Sequence, residues 1–428
     1  MPAQAPPVDP GQPRPREERR TGGRLIAGRR AGGAVSSQFI AAGGSLVLQV
    51  LAARTLGAAG YGTFAILVAT LVTINAVHSG WVGDALTVLD RFDQSVRGGL
   101  QLSHLVGTAV AFVTAATVVL TLGLMAVKGA VLFALMVILW MTEELGRRIF
   151  MARREFWLLA LNDTIYVTVT LAALGTCAVL LDRLTLFTFI LVMAGGSLAA
   201  VTHALAQLPT HEIRTVAMSV PGLRLVSRFA VWRAAQAGLK PLVLLCVRVA
   251  VASLASRAVL GAIEAARLLL APATSFVSGV GSYLLSHYST STGEGQRATR
   301  PRAVYTTMAV LVSFVLLIGA AALALLQPLT ELLTSGQYSI DTGVVAGWTV
   351  YAVAFAAGIP PSLALVARQA SRDVFLLRTV DAALGLVLVF VVLTIGKAWL
   401  VPFALAVGGV TGAVLLCLRV ARRAERIP

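Results

Sequence analysis

Apolar residues run along this chain in long unbroken stretches, separated by short polar segments in which arginine dominates. Twelve stretches predict helices, at about 34–54, 61–82, 100–123, 127–146, 158–181, 185–207, 229–250, 256–287, 303–327, 342–366, 374–395 and 399–419. A helix of roughly 20 apolar residues crosses a hydrocarbon core of about 30 Å. Only helices and closed barrels satisfy their backbone groups in lipid. Barrel strands would read as alternations of about ten residues, so the continuous runs predict an all-α membrane protein. The eighth stretch exceeds a simple crossing and contains Pro272. A kink there, or a projection into the cytoplasm, is expected.

Composition supports the same class. Of 428 residues, 57% are hydrophobic and 13% charged, whereas a soluble domain carries about 25% charge. The net charge of +16 would suit nucleic acid if it formed one patch, but every second loop takes the basic residues instead. These include Arg147, Arg148, Arg153 and Arg154 after the fourth stretch and Arg297, Arg300 and Arg302 after the eighth. That alternation predicts an even helix count with both ends in the cytoplasm, in a multi-pass protein of the cytoplasmic membrane, and argues against a nucleic-acid partner. Residues 1–30, rich in Pro, Gly and Arg, read as a disordered basic cytoplasmic tail with no signal-peptide core. Residues 31–207 form a first lobe of six helices. A linker at 208–228, with Pro209, Pro221 and Gly222, leads to a second six-helix lobe at 229–420 and a cytoplasmic tail at 421–428. Cys177, Cys246 and Cys417 sit far apart in apolar runs and read as small hydrophobes.

Ionisable groups at membrane depth cost roughly 2.5–3.5 kcal/mol each and usually face a cavity or a partner. The seventh stretch carries Arg233, Gln236, Lys240 and Arg248 within about one side of a helix, and the eighth carries Arg257, Glu264 and Arg267. Together they read as a cationic stripe lining a central cavity, suited to phosphate or an acidic sugar. Snorkelling of Arg233 and Arg257 to opposite faces, and neutralisation of Glu264 by Arg267 at i,i+3, are the plainer readings. In the first stretch Gln38, Ser45 and Gln49 share one face, open to a cavity or to helix–helix hydrogen bonds. His78, near Asn75, reads as a lone packing histidine more readily than as a proton carrier. Asp84, Glu264 and Asp381 are the carboxylates to consider for ion coupling, with Asp84 interfacial and solvated.

Catalytic motifs are missing from the sequence: it has no phosphate-cradling Gly-rich loop with Lys, no metal-ligand cluster and no G-x-S-x-G elbow. A protein that is not an enzyme, needing neither cofactor nor metal, is expected. Its energy source would be an ion gradient, the membrane potential or substrate supply.

Leu56-Gly57-Ala58-Ala59-Gly60-Tyr61-Gly62-Thr63-Phe64 resembles the L-G-x-x-x-Y-G-x-[FL] signature of polysaccharide flippases, in the multidrug/oligosaccharidyl-lipid/polysaccharide exporter (MOP) superfamily. Leu260-Gly261-Ala262 through Ala271-Pro272 is similar to that family's eighth-helix region. Glu144 to Asp163 and Gly83-Asp84-Ala85-Leu86 to Asp90-Arg91 resemble its high-GC Gram-positive members. The resemblance implies two six-helix bundles in a V, a central cavity and alternating access by lobe rocking. It also implies undecaprenyl-diphosphate-linked sugars as substrates. The family's lipid II branch typically has fourteen helices, against twelve expected here. The family shares no fixed set of site residues.

The leading expectation is therefore a flippase for lipid-linked oligosaccharide in cell-surface polysaccharide synthesis. Its partners would be the glycan lipid, membrane lipids, glycan-assembly enzymes and a coupling cation or the membrane potential. A multidrug or cation antiporter of the same fold would favour acidic and aromatic cavity residues. A glycan polymerase or ligase would need a substantial outer loop, and the longest here, about 328–341, has the length of an ordinary connection. A membrane scaffold has only the basic tail in its favour, and that tail also suits anionic lipid headgroups.

Overall fold

The computed structural model describes residues 18–213, 216–288 and 301–424, and every regular element among them is helical. Twelve helices are long and apolar enough to cross a membrane. They are α1 (Glu18–Thr55), α2 (Gly57–His78), α3 (Gln94–Thr121), α4 (Val127–Arg153), α5 (Phe156–Leu180) and α6 (Leu186–Gln207), then α7 (Val220–Leu254), α8 (Arg257–Tyr288), α9 (Pro301–Ala324), α10 (Thr342–Ala367), α11 (Ser371–Thr394) and α12 (Val401–Ala424). Past His78, α2 continues through a π turn, Ser79–Gly83, and a short α segment, Asp84–Val88, as one span.

Each expected stretch meets one helix, and the differences lie at the ends. Residues 18–30, expected as irregular tail, extend α1. No proline follows Pro15 in this region, and its Glu and Arg residues form helix well. The rest of the tail, residues 1–17, lies outside the described residues, as do 425–428. The inter-lobe linker shrinks from 208–228 to 208–219, because α7 starts at Val220. Pro221 in its first turn gives up an N–H that no helix partner needs, and the Ser219 hydroxyl accepts the Gly222 N–H at 3.0 Å. The outer connection expected at 328–341 holds a further helix, Leu326–Thr334.

In the first lobe α1 lies along α5, α5 and α4 along α6, and α3 along α4. In the second, α10 and α11 pack on α12, and α8 and α9 on α10. The lobes meet through α2, which packs on α7 and α8, and through α3 on α7. Close approach requires glycine at the outer crossing. A Cβ at Gly62 would collide with the Arg257 carbonyl oxygen, and one at Gly261 with the Ala58 carbonyl oxygen. Gly57 opens α2 at φ +66, where a side chain would be strained. Tyr61 and Phe64, fully buried, anchor a core that continues through Phe133 and Phe189 to Leu260, Ile263 and Trp348 of the other lobe. Side chains such as Phe39 (74% exposed) and Val179 (85%) face outward. On a multi-pass membrane protein that surface meets acyl chains.

Candidate functional site

Polar side chains at the lobe contact and within the second lobe form three groups, each set by the helices that carry it. The outermost group clasps one lobe to the other. Arg54, at the end of α1, donates to the Leu332 carbonyl at 2.8 Å, Gln337 donates back to the Arg54 carbonyl at 2.7 Å, and Tyr338 donates to the Ala53 carbonyl at 3.3 Å. Burial pushes the Tyr338 phenol up to about 12, so it remains a donor at physiological pH. Arg257, at the start of α8, donates to the Leu122 and Gly123 carbonyls at 2.9 and 3.0 Å. Those carbonyls lie at the end of α3, where a helix leaves acceptors unpaired and favours a cation. Arg257 is thus an inter-lobe tie, separated from the stripe in which the sequence placed it.

The middle group belongs to the second lobe. Arg248 of α7 forks onto Glu264 of α8, with Nε–Oε1 2.8 Å and Nη2–Oε2 3.0 Å. Arg267 Nε donates to the same carboxylate at 2.7 Å. Arg248 and Glu264 are buried, while about a third of the Arg267 side chain, 32%, is accessible. Lys240, also on α7, is exposed, with its ammonium 3.7 Å from the centre of the Phe355 ring on α10. Arg378, Asp381 and Arg267 are close enough to act on its charge. Arg378 of α11 donates to Asp381 at 3.1 Å and to the Gly358 carbonyl at 3.0 Å. Arg248, Arg267, Lys240 and Arg378 therefore stand against Glu264 and Asp381, leaving an excess of two positive charges.

The inner group crosses from the first lobe to α7. Asp84, just past the π turn, accepts from Arg233 at 2.6 and 2.9 Å and lies 3.7 Å from Arg148. Arg233 also donates to Gln236 at 3.4 Å. Behind Asp84, Arg147 and Arg148 donate to Glu144 at 2.7 and 2.8 Å, and Arg147 donates to Asp163 at 2.7 Å. Ser37 of α1 donates to Asp163, and Ser79 of the π turn to Glu144 at 3.3 Å. Gly80 lets this turn approach α7, since a Cβ there would stand 2.8 Å from the Ala234 Cα.

The structure thus brings Lys240, Arg248, Glu264 and Arg267 together, with Asp381 beside them. Arg233 and Gln236 lie further in, and Arg257 lies outside. Asp84 stays partly exposed and is ion-paired with Arg233 and Arg148 at the lobe contact. All three carboxylates considered for ion coupling are already bonded to arginine. Nor is His78 alone: its Nε2 lies 3.0 Å from His104 Nδ1. Gln38 and Ser45 are exposed, and Gln49 donates to the Ser45 hydroxyl at 3.2 Å, on the side of α1 away from Gly33, Ser37 and Gly44, which meet α5. Sequence reasoning missed Glu143, Glu144, Arg147, Asp163, Phe355 and Arg378 as parts of a site. Adjacent glutamates inside an apolar run, followed by Asn162-Asp163 inside the next, were the available signal.

Among solved structures, the chain matches the lipid II flippase MurJ in an inward closed conformation with TM-score 0.71 and 13% identity, over 92% of this chain and 87% of that one. It matches an inward-facing multidrug resistance MATE family transporter of the MOP superfamily with TM-score 0.68 and 11% identity, over 91% and 95%. The chain has the fold of MOP-superfamily transporters. A third structure with this fold is a MOP superfamily transporter from Pyrococcus furiosus, described as having a binding pocket of reverse polarity that suggests a different function. It matches with TM-score 0.60 and 12% identity, over 92% and 95%. No protein-family model and no curated protein matches the chain in sequence.

Proposed function

We propose that this protein is a flippase that carries lipid-linked oligosaccharide, an undecaprenyl-diphosphate sugar, across the plasma membrane by alternating access for cell-surface polysaccharide synthesis. The observation that carries the reading is the excess of two positive charges around Lys240 and Arg267, both accessible, between helices of the second lobe. A diphosphate supplies complementary charge, and guanidinium binds phosphate oxygens in pairs. Gln38 and Ser45 offer neutral hydrogen-bonding groups to a sugar, while the polyprenyl tail stays in the bilayer. Glycan-assembly enzymes are the partners this role implies. A second reading, an ion-coupled antiporter, is favoured by one specific group, the buried Glu143 of α4, whose Oε2 has no hydrogen-bond partner among the described residues.

The deciding experiment is flipping of a fluorescent undecaprenyl-diphosphate sugar in proteoliposomes. Wild type is expected to flip it, Lys240→Ala to lose most of that activity, and Lys240→Arg to retain it. Flipping unaffected by Lys240→Ala together with Arg267→Ala would overturn the assignment of the path. A well-folded wild type that flips no glycan lipid but exchanges drug for cation would establish the antiporter.

A further inference from the structure

Gly222, Val226, Ala230 and Ala234 form a buried row that turns α7 toward the first lobe, where a Cβ at Gly222 would strike the Ser95 carbonyl oxygen. Arg224, Arg228 and Trp232 repeat the same spacing two residues on, about 200° round the helix. They therefore look away from the first lobe, and all three are exposed, Trp232 to 64%. The Trp232 ring meets Phe375 of α11 edge to face, with centroids 6.3 Å apart, in the seam where α7 packs along α11. Both helices run outward from the basic inner side. Arg228 stands one turn before Trp232, and Arg372, also exposed, stands one turn before Phe375 and Leu376. The aromatic contact thus gathers three guanidinium groups at the inner end of one seam.

No protein group answers these charges. Arg224, Arg228 and Arg372 make no hydrogen bond or ion pair among the described residues. Other arginines of the inner side are engaged: Arg91 and Arg153 with Glu212, and Arg148 with Glu144. Asp373, next to Arg372 in sequence, is taken by Arg419 at 2.8 Å. Past the rings, the seam continues into the hydrocarbon layer. Leu376, Val380, Val387 and Val391 share one face of α11 and are all exposed. A ligand that fits both parts carries negative charge at headgroup level and a hydrocarbon chain beyond it. An acidic phospholipid has this form. Guanidinium binds phosphate oxygens in pairs, aromatic rings settle at the membrane–water interface, and basic residues beside a span attract anionic lipid.

We propose that the inner end of the α7–α11 seam binds one acidic phospholipid of the inner leaflet, its phosphate held by Arg224, Arg228 and Arg372 and its chain laid past Trp232 along α11. The site is on the outside of the second lobe, so the inference does not depend on which solute the protein moves. The test uses the full chain in nanodiscs of phosphatidylcholine, with brominated-chain phosphatidylglycerol or brominated-chain phosphatidylcholine added at equal mole fraction. Bromine quenches a tryptophan that it touches, and the difference between wild type and Trp232→Phe isolates the Trp232 signal. At low salt, brominated phosphatidylglycerol should quench Trp232 at about tenfold lower mole fraction than brominated phosphatidylcholine. The double variant Arg228→Gln/Arg372→Gln, which removes only exposed charge, should bring the two lipids to within about twofold of each other. High salt should do the same to wild type, and that arm decides alone if the variant does not insert. Equal quenching of wild type by the two lipids, or a preference that the inserted variant retains, would overturn the proposal. So would displacement of the brominated lipid by undecaprenyl diphosphate but not by unlabelled phosphatidylglycerol, which would give the seam to a prenyl diphosphate instead.

Discussion

Glu264 holds two guanidinium groups at once, so removing its charge should cost more than removing either arginine. The perturbation is Glu264→Gln. Arg248 would remain buried, 8% exposed, without its counter-charge, and breaking a buried pair on one side costs about 3–5 kcal/mol. Arg267 is 32% exposed, so water screens its share and little is added for it. Unfolding entropy of about 2 cal/mol/K per residue converts that loss to a fall in Tm of roughly 3–6 °C. Arg248→Met leaves Glu264 still bonded to Arg267 and should cost only about 1–2 kcal/mol. In the double variant Arg248→Met/Glu264→Gln no buried charge is stranded, and most of the Glu264→Gln loss should return. The assay is thermal unfolding of purified protein, read by intrinsic fluorescence, for wild type, both single variants and the double. If the double variant lost the sum of the single losses to within about 0.5 kcal/mol, the two side chains would be energetically independent and the reasoning would fail.

Other outcomes follow from the lobe contacts. Gly62→Val should force α2 from α8 at their outer crossing and raise labelling of an outer-end cysteine by an impermeant maleimide, with unchanged membrane insertion. Arg54→Ala removes one solvent-exposed hydrogen bond across the outer contact, worth about 1 kcal/mol. It should shift the balance of the two access states about fivefold toward outward opening, read as distances between spin labels on the two lobes. Asp84→Asn should loosen the inner contact, giving greater inner-side labelling near Arg233 than at an equivalent position on α12.

The twelve helices were legible because lipid leaves only helices and closed barrels, and the long continuous apolar runs exclude the barrel. The middle cation group was partly legible, since helical spacing places Lys240 and Arg248 on one side of α7. Spacing could not say that Arg248 would turn to Glu264 and be consumed by it. The inner network was hidden for a different reason. Arg147 and Arg148 look like cytoplasmic anchors next to a loop, yet α4 continues to Arg153 and carries them within the bundle. Asp163, the partner of Arg147, sits on another helix and is itself bonded by Ser37, 126 residues away in sequence. The L-G-x-x-x-Y-G stretch was visible as a pattern, and the structure supplies its physics. Gly57 takes a left-handed turn, Tyr61 fills the core and Gly62 leaves room for α8. The helix Leu326–Thr334 escaped notice because nothing in a loop of ordinary length signals that it will dock on the opposite lobe.

The π turn at Ser79–Gly83 has a mechanical meaning. A π turn holds one residue more than a regular helical turn, so everything beyond it is rotated by about 100°. The outer part of α2 fits α8 in one phase, and Asp84 meets Arg233 in another. Deleting a single residue from this turn would leave a span still long and apolar enough to insert, with Asp84 facing away from its partner. The two ends of α2 are geared to the second lobe with different timing, and the extra residue sets the offset between them.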